Sequence, residues 1–211
     1  MNMPSSVNKI IVPKIENLPK RLVYHAVKRF FDILAAILML LVLLIPLGIF
    51  ALLIKSDHGP AIFKQERLGR GGQPFIIYKL RTMRVDAESD GPRWSEKNDP
   101  RVTKLGKFLR RWQIDEWPQL FNILKGEMSF VGPRPEVKAL HEEFCRYVDG
   151  FDQRLLVTPG LTGWAQVNGG ADLKPEEKIM FDVAYIQKQS LWFDLRCIFK
   201  TILLVFNQKG Y

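Results

Sequence analysis

ILAAILMLLVLLIPLGIFALLI, residues 33–54, runs for 22 residues without a charge. Coiled as a helix it is about 33 Å long, enough to cross a hydrocarbon core. It is a poor secretory leader, because it begins more than thirty residues into the chain, is too long for an h-region and lacks a small-residue cleavage site. The segment reads as a membrane anchor. Pro46, near its middle, removes one backbone donor and frees the carbonyl of Val42, which favours a kink. Lys20, Arg21, Lys28 and Arg29 precede the run and Lys55, Lys64, Arg67 and Arg70 follow it, so basic flanks give no orientation. Two readings stay open. A hairpin-like helix enters and leaves on one face with both flanks in the cytosol; an ordinary spanning helix tolerates the proline.

Outward from the anchor, the 211-residue chain is 47% hydrophobic and 25% charged, a balance that supports a folded core and excludes wholesale disorder. Its formal charge of +9 suits an anionic partner: nucleic acid, an acidic membrane surface or a phosphorylated substrate. Cys145 and Cys197 lie far apart, and His25, His58 and His141 are scattered, which argues against a disulfide framework or a zinc site and fits a reducing compartment. Residues 1–20, with three prolines, read as a mobile or surface-lying lead-in.

Beyond the anchor, residues 61–68 and 74–80 read as two short strands joined at Gly69-Arg70-Gly71-Gly72, a hairpin turn rather than a phosphate loop, since no helix pattern follows. Residues 86–101 are polar and turn-rich, a loop. Val102, Leu105, Phe108, Leu109 and Trp112 then recur at helical spacing, with Lys104, Lys107, Arg110 and Arg111 opposite, a basic amphipathic helix of the kind that lies in a membrane interface. Residues 191–206 are apolar but carry Asp194, Arg196 and Lys200, so they are expected to dock at the interface, with Trp192 and Phe193 near the headgroups.

The chemistry concentrates between Arg110 and Glu136, RRWQIDEWPQLFNILKGEMSFVGPRPE. Asp115 is placed to cap a helix running from Glu116 to Lys125, with Pro118 in its first turn and Gly126 just past its end. At a helix start two adjacent carboxylates can converge on one metal ion, and the free N–H groups suit a phosphate. Arg110 and Arg111 lie one turn upstream, and Gly132-Pro133-Arg134-Pro135 holds another guanidinium on a stiff loop. On the residues alone this reads as an anion site beside a membrane.

The run DEWPQLFNILKGEMSFVGPRPE closely resembles the signature of the bacterial polyprenyl-phosphate sugar-1-phosphate transferases, the monotopic phosphoglycosyl transferases. FKQERLG from Phe63, YKLRTM from Tyr78, DPRVT from Asp99 and PGLTGWAQVNG from Pro159 match in order, so the likeness extends from about Lys28 to the C-terminus. It implies a mainly α membrane-associated domain with a small β-hairpin, an N-terminal re-entrant membrane helix and interfacial amphipathic helices. The chain then divides into a lead-in (1–27), a re-entrant helix (28–55) and a cytosolic-face catalytic domain (56–211). By the resemblance Asp115 is the nucleophile and Glu116 the second member of a catalytic pair that binds Mg²⁺. Arg110, Arg111 and Arg134, with Lys79 and Arg81 of the YKLRTM run and Gln119 after Pro118, are the substrate- and phosphate-binding candidates. The implied reaction moves a sugar phosphate from a UDP-sugar to undecaprenyl phosphate through an aspartyl phosphosugar, releasing UMP. The implied partners are those two substrates and membrane lipids, with a homodimer left open and no nucleic acid; the implied place is the cytoplasmic face of a bacterial inner membrane. Trp117 stands where a leucine is usual, Glu127 where an aspartate is common, and Ile45 where relatives have serine before the proline. The short lead-in resembles the minimal catalytic form. Rival readings are a membrane-associated glycosyltransferase that releases UDP, and a non-catalytic scaffold that binds anionic lipid.

Overall fold

The apolar run belongs to one helix, α1 (Leu22–Ile54), six residues longer at its start than the sequence division allows. The computed structural model describes residues 12–18, 20–87 and 99–207, so most of the polar loop expected at 86–101 lies outside the described residues. At 33 residues α1 is about 50 Å long, with Pro46 inside it. A single stripe at helical spacing faces the rest of the chain. Tyr24 donates to Asp194 Oδ2 at 2.9 Å and Lys28 pairs with the same carboxylate at 3.1 Å. Farther along, Asp32 accepts from the Phe130 amide at 3.2 Å. Ala36, Leu40 and Leu43 pack with Phe75, Leu120, Ile123 and Met128, and Leu47, Phe50 and Ile54 with Ala61, Leu80, Leu109 and Ile114. The opposite side leaves Leu38, Leu41, Val42, Ile45, Ile49 and Leu52 exposed. Both ends of α1 therefore touch one body: Arg21 bonds the carbonyls of Gln187 and Gln189, and Arg81 bonds the carbonyl of Ile54.

The expected hairpin forms from β1 (Ile62–Leu68) and β2 (Pro74–Leu80), antiparallel and in register from Ile62 opposite Leu80 to Leu68 opposite Pro74. Its connection is a tight turn at Arg70–Gly72. α2 (Lys104–Arg111) starts where Thr103 Oγ1 accepts from the Gly106 amide at 2.9 Å, a side-chain N-cap. It buries Leu109 and leaves Phe108 exposed. α3 (Gln119–Lys125) ends at Gly126, whose φ of 87° is the left-handed cap geometry that glycine adopts without steric cost. Arg29 of α1 completes that end, donating to the Ile123 and Leu124 carbonyls at 2.5 and 2.8 Å, where a cation also meets the negative end of the helix dipole. Asn122 fixes α3 to the hairpin by donating to the Ile76 carbonyl and accepting from the Tyr78 amide, at 2.6 and 3.2 Å.

The sequence reading lacks a second sheet. β3 (Ser129–Val131) and β4 (Gly160–Thr162) pair in parallel, with Gly132 and Gly160 so close that a Cβ on Gly160 would clash with the Gly132 amide nitrogen. Three residues a side are too few to show as alternation in a sequence. α4 (Lys138–Tyr147), α5 (Pro175–Lys188) and α6 (Leu191–Phe206) complete the body. α6 matches the segment expected at 191–206, with Asp194 buried, Lys200 half-buried and Arg196 exposed. Asp194 meets Lys28, Tyr24 and Tyr185, and Arg196 and Lys200 lie over the Trp164 ring. Of the two aromatic residues assigned to headgroups, only Trp192 faces out; Phe193 packs edge-on against Trp164 and Tyr185. The described part of the lead-in is docked as well, with Val12 buried among Phe144, Val148 and Phe151 and Ile15 donating its amide to Gln153.

Candidate active site

After α2 the chain reverses at Gln113, a non-glycine residue held at φ 54° and ψ 23°. It then makes a 3₁₀ turn, Ile114–Glu116, closed by bonds from the Glu116 amide to Gln113 and from the Trp117 amide to Ile114. Ile114 is sunk beside Leu47, Leu80 and Leu109, and Trp117 lies edge-on to Phe50, so the turn is clamped between α1, α2 and β2. Asp115 does not cap a helix from Glu116, as expected from the sequence. α3 begins only at Gln119, with Pro118 as the residue before it and no side-chain cap. The left-handed Gln113 starts the coil early and the tight turn absorbs the carboxylates before α-helical spacing sets in.

Asp115 and Glu116 are only 7% and 6% exposed. Lys79, on the face of β2 shared with Phe75 and Ile77, reaches Glu116 Oε1 at 2.9 Å. Arg134 puts NH2 on the same oxygen at 2.5 Å and NH1 at 3.4 Å from Oε2. Burial alone would raise the Glu116 carboxyl, but Arg134 and Lys79, charged and hydrogen-bonded to it, reverse this and hold it well below the usual carboxylate range. Burial wins at Asp115, whose carboxyl is pushed up despite Lys79, Arg110 and Arg134, with Glu116 adding to the rise. Burial pulls the Lys79 ammonium down, against Glu116 and Asp115. Burial and the two cations on Glu116 thus divide the pair into an ion-paired Glu116 and a more basic Asp115.

The loop carrying Arg134 is tied at four successive carbonyls, each by a different partner. Gly160 N donates to Pro133, Arg154 to Arg134, Arg67 to Pro135 and Leu68 N to Glu136, at 2.9, 2.8, 3.1 and 3.0 Å. Behind it lies a buried ionic cluster absent from the sequence reading. Glu136 pairs with Arg154 at 3.2 Å and Lys178 at 2.9 Å, and Arg154 pairs with Asp182 at 3.0 Å. A signal was available: Ile179, Asp182, Val183 and Ile186 share one buried helical stripe, and an aspartate in such a stripe needs a cation.

Of the other candidates, Arg110 is half-buried, donates to Thr82 Oγ1 at 2.8 Å and contributes its charge to Asp115. Arg111 is exposed on the last turn of α2. Gln119 is buried, and its Nε2 has no hydrogen-bond partner among the described residues. Arg81 is buried with its guanidinium on the carbonyls of Ile54, Pro60 and Met83, where it braces the exit of α1. The site therefore assembles two carboxylates and three cations, Lys79, Arg110 and Arg134, beside a helix with an exposed apolar face. Such a set can hold a polyanion and present a carboxylate oxygen to it.

The profile of the bacterial sugar transferase family matches residues 23–208, and the chain belongs to that family. Among its relatives, UDP-glucose:undecaprenyl-phosphate glucose-1-phosphate transferase of Escherichia coli K12 is 40% identical over 210 residues, 97% of this chain and 45% of that protein. UDP-N-acetylgalactosamine-undecaprenyl-phosphate N-acetylgalactosaminephosphotransferase of Aeromonas hydrophila is 42% identical over 193 residues, 89% of this chain and 45% of that protein. Undecaprenyl-phosphate galactose phosphotransferase of Salmonella typhimurium LT2 is 37% identical over 219 residues, again 45% of that protein. The chain thus spans less than half the length of these curated relatives.

Proposed function

We propose that the protein transfers a sugar-1-phosphate from a UDP-sugar to undecaprenyl phosphate, the first lipid-linked step of a surface polysaccharide or glycoconjugate. The observation that carries this reading is the buried Asp115–Glu116 pair set among Lys79, Arg110 and Arg134, beside an apolar helix. The relatives' names supply the substrate classes and leave the sugar open, since they include glucose, galactose and N-acetylgalactosamine.

In the first step an Asp115 carboxylate oxygen attacks the sugar-bearing phosphorus. The bond from that phosphorus to the bridging oxygen breaks, and UMP leaves with the electron pair. An oxygen of the lipid phosphate then attacks the aspartyl phosphosugar, returning Asp115 as a carboxylate and forming a lipid diphosphate sugar. Asp115 suits the nucleophile because burial, with Glu116 adding to it, keeps its carboxylate basic; Glu116, locked to Lys79 and Arg134, holds those cations in place. Lys79, Arg110 and Arg134 offset the charge that otherwise repels a carboxylate from a diphosphate. The unpartnered Nε2 of Gln119 offers a further donor one turn along the chain.

Mg²⁺ fits this donor set. Asp115 accepts no hydrogen bond among the described residues, Glu116 engages Oε2 only at 3.4 Å, and magnesium sites commonly use one or two carboxylates completed by phosphate and water. Asp115 and Glu116 would hold the ion, and it would neutralise charge on the diphosphate when bound.

A re-entrant α1 is favoured over a spanning one because both ends of the helix dock on the same body, which cannot lie on two sides of a bilayer. On this reading the site lies on the cytoplasmic face of the inner membrane, where UDP-sugars are available. Cysteine labelling in intact cells tests the topology, since periplasmic labelling near Ser5 contradicts it. A panel of UDP-sugars offered with undecaprenyl phosphate tests the reaction. UMP is the expected nucleotide product; UDP identifies a glycosyltransferase instead.

A further inference from the structure

The corner between α5 and α6 carries a second concavity that shares no residue with the carboxylate site. Trp164, Ala184, Lys188, Ser190, Trp192, Phe193 and Arg196 line a cavity of about 310 Å³. Its inner wall is aromatic, with Trp164 and Phe193 edge to face at 4.9 Å. Two cations stand at its exposed rim. Lys188 ends α5, and Arg196 lies one turn from Trp192 with its guanidinium carbon 5.1 Å from the Trp164 ring centre. Neither makes a hydrogen bond or ion pair among the described residues, whereas Arg21 is engaged on the Gln187 and Gln189 carbonyls and Lys28 on Asp194. Among the described residues no acidic side chain lines the cavity, and Asp194 is buried and taken by Lys28, Tyr24 and Tyr185.

The corner also lies where apolar surface is presented outward. Trp192 is 78% exposed, and Leu195, Phe199, Ile202 and Phe206 continue the same side of α6. Leu22 and Val23, exposed at the start of α1, are held against this corner by the Arg21 bonds to Gln187 and Gln189. Two unpaired cations over an aromatic floor, rimmed by apolar residues, match a phosphate whose ester groups carry hydrocarbon chains.

We propose that this corner binds the phosphate of an anionic diacyl phospholipid, a structural lipid distinct from the acceptor substrate. The inference rests on the reading of α1 as membrane-embedded. A structural lipid is the occupant, rather than the acceptor, because none of the elements that carry Lys79, Asp115, Glu116 or Arg134 lines the cavity. Lys188 and Arg196 take the phosphate oxygens, Trp192 lies along the glycerol region, and the acyl chains run over Leu195 and Phe199.

The test uses the full chain reconstituted in vesicles of equal phosphatidylglycerol and phosphatidylcholine, extracted gently and weighed by native mass spectrometry. Wild type should retain one phosphatidylglycerol in excess over phosphatidylcholine on the order of tenfold. The double variant Lys188→Gln with Arg196→Gln should lose that preference while keeping turnover in detergent; Lys107→Gln, on α2, should keep both. Equal retention of the two lipids by wild type, or an undiminished preference in the double variant, overturns the site. Displacement of phosphatidylglycerol by excess undecaprenyl phosphate overturns it differently, by making the corner part of the acceptor path. A chain that fails to enter vesicles at all contradicts the membrane reading itself.

Discussion

Arg154→Met should cost more stability than any other single substitution outside the apolar core, because Arg154 holds two carboxylates and the Arg134 loop together. Its side chain is 2% exposed, with Glu136 at 3.2 Å, Asp182 at 3.0 Å and the Arg134 carbonyl at 2.8 Å. The Phe151 ring stacks beneath the guanidinium at 4.8 Å. Methionine fills much of the volume and supplies no donor. Glu136 keeps Lys178 at 2.9 Å, but Asp182 loses the cation paired with it. Breaking a buried pair by removing one partner costs about 3–5 kcal/mol, and the lost bond to the carbonyl about 1 kcal/mol more. For a chain of this size about 4 kcal/mol corresponds to a fall in Tm of roughly 10 °C, measurable by thermal unfolding in detergent. Adding Asp182→Asn to Arg154→Met should recover part of the loss, since the orphaned carboxylate is then gone. A fall below about 2 °C for the single variant, or no recovery in the double, refutes the assignment of Arg154 as the centre of the cluster.

Three further outcomes follow from the same geometry. Burial, only partly offset by Arg154 and Lys178, raises the Asp182 carboxyl from 3.8 to about 6. Because the folded value is the higher one, its contribution is present below pH 3.8 and is lost as pH rises through about 6, a cost of about 3 kcal/mol above that range. Asp182→Asn should therefore gain stability over wild type as pH rises from 4 to 7, read as the difference between two Tm–pH curves; parallel curves contradict this. Arg134→Lys keeps the charge but loses the planar fork on Glu116, and kcat/KM should fall at least about tenfold, or ~1.5 kcal/mol. Wild-type kinetics would leave Arg134 with structure alone. Finally, activity should vanish in EDTA and return with Mg²⁺, and full turnover in chelator excludes the metal role given to Asp115 and Glu116.

The parts of the molecule legible in the sequence are those with a period or a punctuation mark. The charge-free run of α1, the two apolar segments around Gly69-Arg70-Gly71-Gly72, and Gly126 at the end of α3 each carry a local cause that tertiary contacts do not override. α3 starts later than the sequence suggests because an aspartate shortly before a proline has the composition of a helix cap, while the left-handed Gln113 that sets the 3₁₀ turn leaves no compositional mark. The carboxylate pair and Arg134 stood out as charged residues crowded into an otherwise apolar stretch. Lys79 is named through the family resemblance, but its pairing with Glu116 is not, and Arg154 is not named at all. Lys79 comes from 37 residues upstream of Glu116, and Arg154 bonds the Arg134 carbonyl across 20 residues, pairings that only the packed fold makes.

The covalent role of Asp115 is the centre of the account, and intact-protein mass spectrometry tests it most directly. Incubated with a UDP-sugar and Mg²⁺ but no lipid acceptor, the enzyme should gain the mass of one sugar phosphate, and peptide mapping should place it on Asp115. Asp115→Asn should show neither adduct nor turnover, because a neutral amide is a poor nucleophile. Glu116→Gln, which loosens Lys79 and Arg134, should turn over slowly. A label mapped elsewhere, or substantial activity in Asp115→Asn, contradicts the account and makes direct attack by the lipid phosphate the mechanism.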